Sequence, residues 1–304
     1  MNKILALLLP LLLFSEPHPI QFSISETKMV KEIPSKDRDF AFMDPSDFRT
    51  YIYQRESDYY NGYQRSYFAL TKMKGGWDCL RHYEILANGC IPYFLDLENC
   101  PPKTMALLPK KLILEAMHLP GVYHGRIDHN LFDKERYYQI LNELLKYTRT
   151  VLTAKNMAKT ILDTVQYTGK GKILFLTDNP SPDYLRCCTL IGFKELLGDR
   201  VIDVPKIEHI YTSYPHDEHD LYGKGFTYTK IVEDFPIDRE NIEQRIMNRE
   251  FDLIIYGSIH RGLRYYQLVR QRYSSQKILY LCGEDAHQCK FTSYTNLFLR
   301  ENPY

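Results

Sequence analysis

The second half of this 304-residue chain carries four short apolar runs separated by stretches of helical periodicity. They are Lys172-Ile-Leu-Phe-Leu-Thr177, Arg200-Val-Ile-Asp-Val-Pro205, Phe251-Asp-Leu-Ile-Ile-Tyr256 and Lys277-Ile-Leu-Tyr-Leu-Cys282. A strand that is apolar along its length has to be buried on both faces. Such strands alternating with helices specify a parallel sheet covered on both sides, with right-handed crossovers. Helices are expected over 183–197, 239–248 and 264–273, and a long Tyr/His/Asp-rich loop follows the second strand. Residues 169–304 are therefore expected to form a Rossmann-like domain. A glycine-rich dinucleotide turn is missing: after Phe175-Leu-Thr-Asp178 the chain runs Asn-Pro-Ser-Pro-Asp183, and no P-loop pattern occurs anywhere. NAD and ATP readings are weakened accordingly.

Residues 1–168 make up the other half, separated by the linker Tyr167-Thr-Gly-Lys-Gly171. A short strand is expected within Asp37–Met43, a turn at Asp44-Pro-Ser-Asp47 and a helix over Glu56–Tyr67. Gly75-Gly76 breaks the pattern, after which Asp78 can cap a helix that stops at Asn88-Gly89 and feeds a strand over Cys90–Leu95. Further helices are expected at Lys111–Met117 and Lys134–Leu162. Of the 25 tyrosines, Tyr51, Tyr53, Tyr59, Tyr60, Tyr63 and Tyr67 cluster before this segment, as a packing face more than a sugar-stacking one.

Composition excludes some classes. An apolar content of 44% with 25% charged residues is that of a folded chain, and Lys+Arg 39 against Asp+Glu 38 supplies no field to attract nucleic acid. The seven cysteines are odd in number and contain no C-x-x-C pair, which argues against a disulfide scaffold and a zinc ribbon and for a reducing, cytoplasmic setting. Cys187-Cys188, in an apolar run, is expected to be a pair of buried thiols. At the start, Lys3 precedes the apolar run Ile4–Phe14, interrupted by Pro10 and followed by no A-x-A site. Docking on the first domain or peripherally on a membrane surface is preferred to secretion.

The chemistry concentrates in Lys74–Phe94. Arg81 and Glu84, three apart on a helix, share a face, with His82 beside them and Lys74 on the loop before. A guanidinium can hold a diphosphate with two parallel hydrogen bonds, and a carboxylate can accept both hydroxyls of a ribose. The plain alternative is a surface ion pair of small worth.

The pattern R-x-x-E-x-x-x-x-G-C-I-P, here Arg81, Glu84, Gly89, Cys90, Ile91 and Pro92, resembles the nucleotide-sugar-binding segment of GT-B glycosyltransferases, particularly the exostosin-like ones. The resemblance covers about twenty residues of the chain. It implies two Rossmann-like α/β domains facing a cleft, with Glu84 on the donor ribose, Arg81 on the diphosphate and Asn88, Gly89 and Cys90 around the nucleotide. Lys74 and His82 complete the implied donor site. It further implies a UDP- or GDP-linked co-substrate, a glycan or glycoconjugate acceptor, and no required metal or other cofactor. Two departures accompany it. Gly76 stands where the E-x7-E form of the motif has its first Glu, and the clear Rossmann pattern follows the motif instead of preceding it, so the domains are permuted or the N-terminal one is trimmed.

Ligands of open α/β sheets bind beyond the carboxyl ends of the strands. That rule selects Asp178-Asn179, Gly257-Ser-Ile-His260-Arg261 and Gly283-Glu284-Asp285-Ala-His287. Asp178, His260, Glu284, Asp285 and His287 are the candidates for a general base acting on an acceptor hydroxyl, with Gly283-Glu284-Asp285 favoured. Two metal readings are set aside. His216-Asp-Glu-His-Asp220 lacks a helical frame, and Cys282, His287 and Cys289 lack a fourth ligand. The expected activity is transfer of a hexosyl unit from a nucleoside diphosphate to a hydroxyl acceptor. The alternative is a nucleotide-sugar- or glycan-binding protein without chemistry, and a methyltransferase on the same sheet is disfavoured by the absent glycine-rich turn.

Overall fold

The computed structural model describes residues 16–285, 289 and 294–302, so the Ile4–Phe14 run and His287 lie outside the described residues. The chain is α/β with two parallel sheets. It begins with β1 (His18–Pro19) and β2 (Arg38–Phe40), continues through helix α1 (Glu56–Gln64), β3 (Ser66–Thr71), α2 (Leu80–Ala87) and β4 (Ile91–Phe94), and then α3 (Lys110–Met117). A two-residue hairpin, β5 (Val122–Tyr123) with β6 (Arg126–Ile127), precedes α4 (Lys134–Val151) and α5 (Ala154–Thr164). The second half runs β7 (Lys172–Leu176), α6 (Tyr184–Leu197), β8 (Val201–Val204), α7 (Ile242–Met247), β9 (Phe251–Tyr256), α8 (Tyr266–Arg272), β10 (Ile278–Cys282) and β11 (Leu297–Leu299).

The larger sheet has the order β1-β11-β10-β9-β7-β8, and every pairing in it is parallel. Taken from β7 onward this is the flavodoxin-like order 2-1-3-4-5, with the N-terminal β1 added at the far edge. The segment around His18–Pro19 therefore crosses the division drawn at residue 168. Period-2 alternation sorts the strand side chains to two cores. Ile173, Phe175, Leu253, Ile255, Leu279 and Leu281 face one, shared with the first half of the chain. Leu174, Leu176, Ile254, Tyr256, Ile278 and Tyr280 face the other, against α7 and α8. Both faces are dry, as the apolar runs required.

The smaller sheet, β2-β3-β4, is also parallel, and Phe68 and Ala69 on its central strand face opposite cores. Its strand β3 corrects the helix expected over Glu56–Tyr67: the helix ends at Gln64, and Ser66–Thr71 is a wholly buried strand. No glycine or proline marks that change, so periodicity ran on past it. The helix expected over Lys134–Leu162 is two helices. Thr153 accepts a hydrogen bond from the Asn156 amide (3.0 Å) and caps the second, which is the competition a Thr hydroxyl offers to a continuous helix. Asp78 is not the cap of α2; Cys79 occupies that place without a side-chain bond. Among the described residues, no helix is long and apolar enough to cross a membrane.

Candidate functional site

A cleft opens where the 74–81 segment meets the carboxyl ends of β7, β9 and β10. Its wider part, a cavity of about 790 Å³, is lined by Lys74 and Asp78 from the first half and by Asp183, His260, Glu284 and Asp285 from the strand ends of the second. A narrower chamber of about 380 Å³ adjoins it, sharing Lys74, Cys79, Leu80, Tyr184 and Tyr222, and is lined also by Tyr51, Tyr59, Arg81 and Glu84. Arg81 and Glu84 reach this wall because they sit three apart on α2, one turn from its start.

Arg81 is the most informative residue of the chamber. Its Nη2 donates to the Tyr51 hydroxyl (2.6 Å), and the guanidinium lies over the Tyr51 ring at 5.3 Å. Lys74 makes the parallel arrangement, with Nζ donating to the same hydroxyl (2.9 Å) and 5.1 Å from the ring centre. The Nε and Nη1 atoms of Arg81 are sealed from water and have no hydrogen-bond partner. Such donors cost free energy unless a ligand meets them, so two cations on one tyrosine, one with donors left over, is an arrangement suited to an anion.

Glu84 stands beside them, buried, with both carboxylate oxygens engaged. Oε2 accepts from the Tyr59 hydroxyl (2.5 Å) and Oε1 from the Thr227 hydroxyl. Burial raises its pKa, against the hydrogen bonds from Thr227 and Tyr59. Thr227 belongs to the long loop after β8, which reaches back to the first half: its amide donates to Glu56 Oε1 (2.5 Å), and Lys224 Nζ donates to the Tyr53 carbonyl (2.7 Å). Two hydroxyls on one carboxylate is the pattern a ribose diol would reproduce, and a ribose at Glu84 would displace protein hydroxyls to do so.

Arg300 organises the opposite wall. Almost fully buried, it donates through Nη1 to the Asp78 carbonyl (2.5 Å) and Glu301 Oε1 (2.8 Å), through Nε to the Gly283 carbonyl (3.1 Å), and through Nη2 to Asp285. Glu301 in turn accepts from the amides of Trp77 (3.0 Å) and Asp78 (2.9 Å). The glycines at 75 and 76 suit this closeness: a Cβ on Gly75 would stand 2.3 Å from Asp285 Oδ2, and one on Gly76 2.4 Å from Glu301 Oε1, so in either case a carboxylate would have to shift. Asp78 accepts from the Phe22 amide (2.7 Å) and the Tyr83 hydroxyl (2.8 Å), and burial pushes its pKa up to about 6 against the Arg300 charge. Deeper in the cleft, Asp183 caps α6 and accepts from Arg261 Nε (2.7 Å), with His260 Nε2 at 3.3 Å. Burial alone would raise the Asp183 carboxyl, but the bonds from His260 and the Arg186 amide outweigh it and hold it below the usual range.

The cleft thus gathers Lys74, Arg81, Glu84, His260, Glu284 and Asp285. It does not gather the rest. His82 turns into the core, its Nδ1 at Thr71 (3.0 Å) and its Nε2 at the Trp77 carbonyl (2.9 Å), and burial pushes its pKa down to about 3. Asn88, at the far end of α2, is tied to the Glu84 carbonyl and to Gln64. Gly89 (φ +64°) lies under Pro34 and Val30, and Cys90 is buried against the Tyr67 carbonyl. Asn88 instead lines a separate cavity of about 600 Å³, with Lys28, Glu56 and Lys230. Asp178 lies off the cleft, against Gly262. His219 in the His216–Asp220 loop bonds Asp217 and the Gln54 carbonyl.

Residues missed in the sequence include Tyr51, Thr227, Arg300, Glu301 and Asp183. Only Asp183 carried a usable signal, as a cap after Pro182 at a strand end. The cysteine reading also needs correction. Cys282 and Cys289 form a disulfide (Cα–Cα 6.4 Å), a pairing that spacing alone did not point to. Cys187 and Cys188 are buried thiols, Cys187 with its sulfur 3.2 Å from His209 Nε2. No family model, curated protein or solved structure matches this chain.

Proposed function

We propose that the cleft binds a nucleoside diphosphate sugar and transfers the sugar to a hydroxyl acceptor, in a GT-B-like arrangement whose N-terminal sheet is trimmed to three strands. The observation that carries this reading is Arg81, which lines the chamber beside Lys74 and Glu84 and carries two buried donor atoms without a hydrogen-bond partner. In this reading Arg81 and Lys74 take the diphosphate and stabilise the charge that develops on it as the glycosidic bond breaks. Glu84 takes the ribose hydroxyls now mimicked by Tyr59 and Thr227.

The acceptor enters the wider cavity, where a carboxylate removes the hydroxyl proton as the oxygen attacks the sugar's anomeric carbon. Asp285 is held by Arg300 and His260 by Asp183, whereas Glu284 makes no ion pair among the described residues. Glu284 is therefore the preferred base. Calorimetric titration with UDP and GDP tests the binding half, with Arg81→Ala expected to weaken affinity by roughly 100-fold for two lost charge-assisted bonds. Release of UDP or GDP from donor sugars tests the chemistry, with Glu284→Gln lowering turnover while affinity stays unchanged. Folded Arg81→Ala and Glu84→Ala variants that bind both nucleotides as the parent does would overturn the reading.

A further inference from the structure

We propose that His260, Cys282 and Cys289 form a three-ligand site for a thiophilic divalent cation, Zn²⁺ by its chemistry, once the two cysteines are in the thiol state. The two sulfurs and a His260 ring nitrogen lie within 4.8 Å of one another. A tetrahedral zinc ion holds such atoms about 3.5–3.8 Å apart, so the His260 nitrogen has to approach by at most about an ångström, while the sulfurs, freed from their bond by reduction, separate by about 1.7 Å. Three protein ligands with a fourth position left over is the pattern of an open zinc site.

The second observation is the state of the histidine. Its Nε2 stands 3.3 Å from Asp183, while its Nδ1 is buried with no hydrogen-bond partner. A carboxylate on one imidazole nitrogen fixes the proton there and leaves the lone pair on the other, which is the support that metal-binding histidines receive. The sequence grouped Cys282 and Cys289 with His287 and lacked a fourth ligand. The turn after β9 supplies His260 from a strand that neighbours β10 in the sheet. His260 lines the cleft, whereas Cys282 and Cys289 lie with the residues packed against α7 and α8, so the site adjoins the cleft through His260.

The disulfide is the metal-free, oxidised form of the same pair. A thiol or phosphine reductant supplies two electrons and is itself oxidised, the sulfurs take up two protons, and metal binding then releases those protons as both sulfurs ligate as thiolates. The site stands independently of the nucleotide-sugar reading.

The test uses the full chain, reduced with a phosphine, freed of excess reductant under argon and titrated with Co²⁺. Expected are thiolate-to-cobalt charge-transfer absorption and tetrahedral visible bands saturating at one equivalent and abolished by Zn²⁺. Cys289→Ser and His260→Ala should each weaken binding at least about 10-fold, and Asp183→Asn, which keeps a capping oxygen for α6, by about 10- to 100-fold. Reduced protein without charge-transfer bands, or bands that persist unchanged in the cysteine and histidine variants or in the oxidised chain, would overturn the proposal. UDP binding measured on the same samples reports separately on the function proposed above.

Discussion

Replacing Arg81 by Met should stabilise the ligand-free protein while removing most of its response to nucleotide. The two sealed donors, Nε and Nη1, have no partner, and each such group costs about 1–3 kcal/mol of desolvation. Against this, the Arg81→Met variant loses the Nη2 bond to Tyr51 (2.6 Å), worth about 1 kcal/mol, and the stacking of the guanidinium on that ring, worth about 0.5–2 kcal/mol. Methionine is flexible enough to fill the vacated stem position. The balance is a gain on the order of 1 kcal/mol, which raises Tm by about 1.5 °C for a chain of this size at about 2.1 cal/mol/K of unfolding entropy per residue. With UDP at a hundred times the parent's Kd the parent gains about 2.7 kcal/mol and a variant bound about 100-fold more weakly about 0.4 kcal/mol, so the order of the two melting temperatures reverses. Differential scanning calorimetry with and without UDP reads both effects. A variant clearly less stable than the parent without ligand would show that the guanidinium is satisfied by the protein, and a variant that shifts with UDP as the parent does would remove it from the site.

Asp78→Asn should remove a pH dependence. The Asp78 carboxyl titrates at about 6 in the fold against an ordinary value of 3.8, so the native state binds the proton more tightly. Stability from this group is fully present below about pH 4 and lost as pH rises toward 6, by up to about 3 kcal/mol. His82, pushed down to about 3, acts with the opposite sign, losing stability as pH falls below 6.5; the Asp78 effect is therefore read from the parent-minus-variant difference in urea unfolding between pH 4 and 7. A flat difference across that range counts against a buried, titrating Asp78. Gly76→Glu, which reinstates the acid of the E-x7-E motif, should destabilise by about 1–3 kcal/mol or more, since its Cβ would stand 2.4 Å from Glu301 Oε1 and 3.2 Å from Asp285 Oδ1. Guanidinium unfolding of that variant at parent-like midpoint would show that the 75–76 loop is not held against the two carboxylates.

Much of the framework was legible because it depends on local pattern. The runs Lys172–Leu176, Val201–Val204, Phe251–Tyr256 and Ile278–Cys282 became adjacent strands of one parallel sheet since continuous apolarity leaves no other low-cost burial. Arg81 and Glu84 came to one wall since three residues of helix bring side chains to one face. His260, Glu284 and Asp285 came to the other by the strand-end rule, which depends only on sheet polarity. Where a residue has a rival local partner the pattern misled: His82 has the same helix as Arg81 but the opposite face, and its two nitrogens are taken by Thr71 and Trp77.

What only the tertiary structure decided are the contacts between residues far apart in the chain. Arg300 meets the Asp78 carbonyl across 222 positions, Thr227 meets Glu84 across 143, and Asp183 meets Arg261 across 78. Hydrophobic period, capping and turn chemistry are properties of a few neighbouring residues, whereas these pairs depend on which strand lies beside which and on how the first half packs over the second. The joining of β1 to β11, the approach of Asp285 and Glu301 to a pair of glycines, and the meeting of His260 with Cys282 and Cys289 all follow from that closure. The sequence determined which elements form and which faces are apolar; the closing of the chain, driven by burial of those faces in one shared core, determined which polar groups are left looking at one another across the cleft.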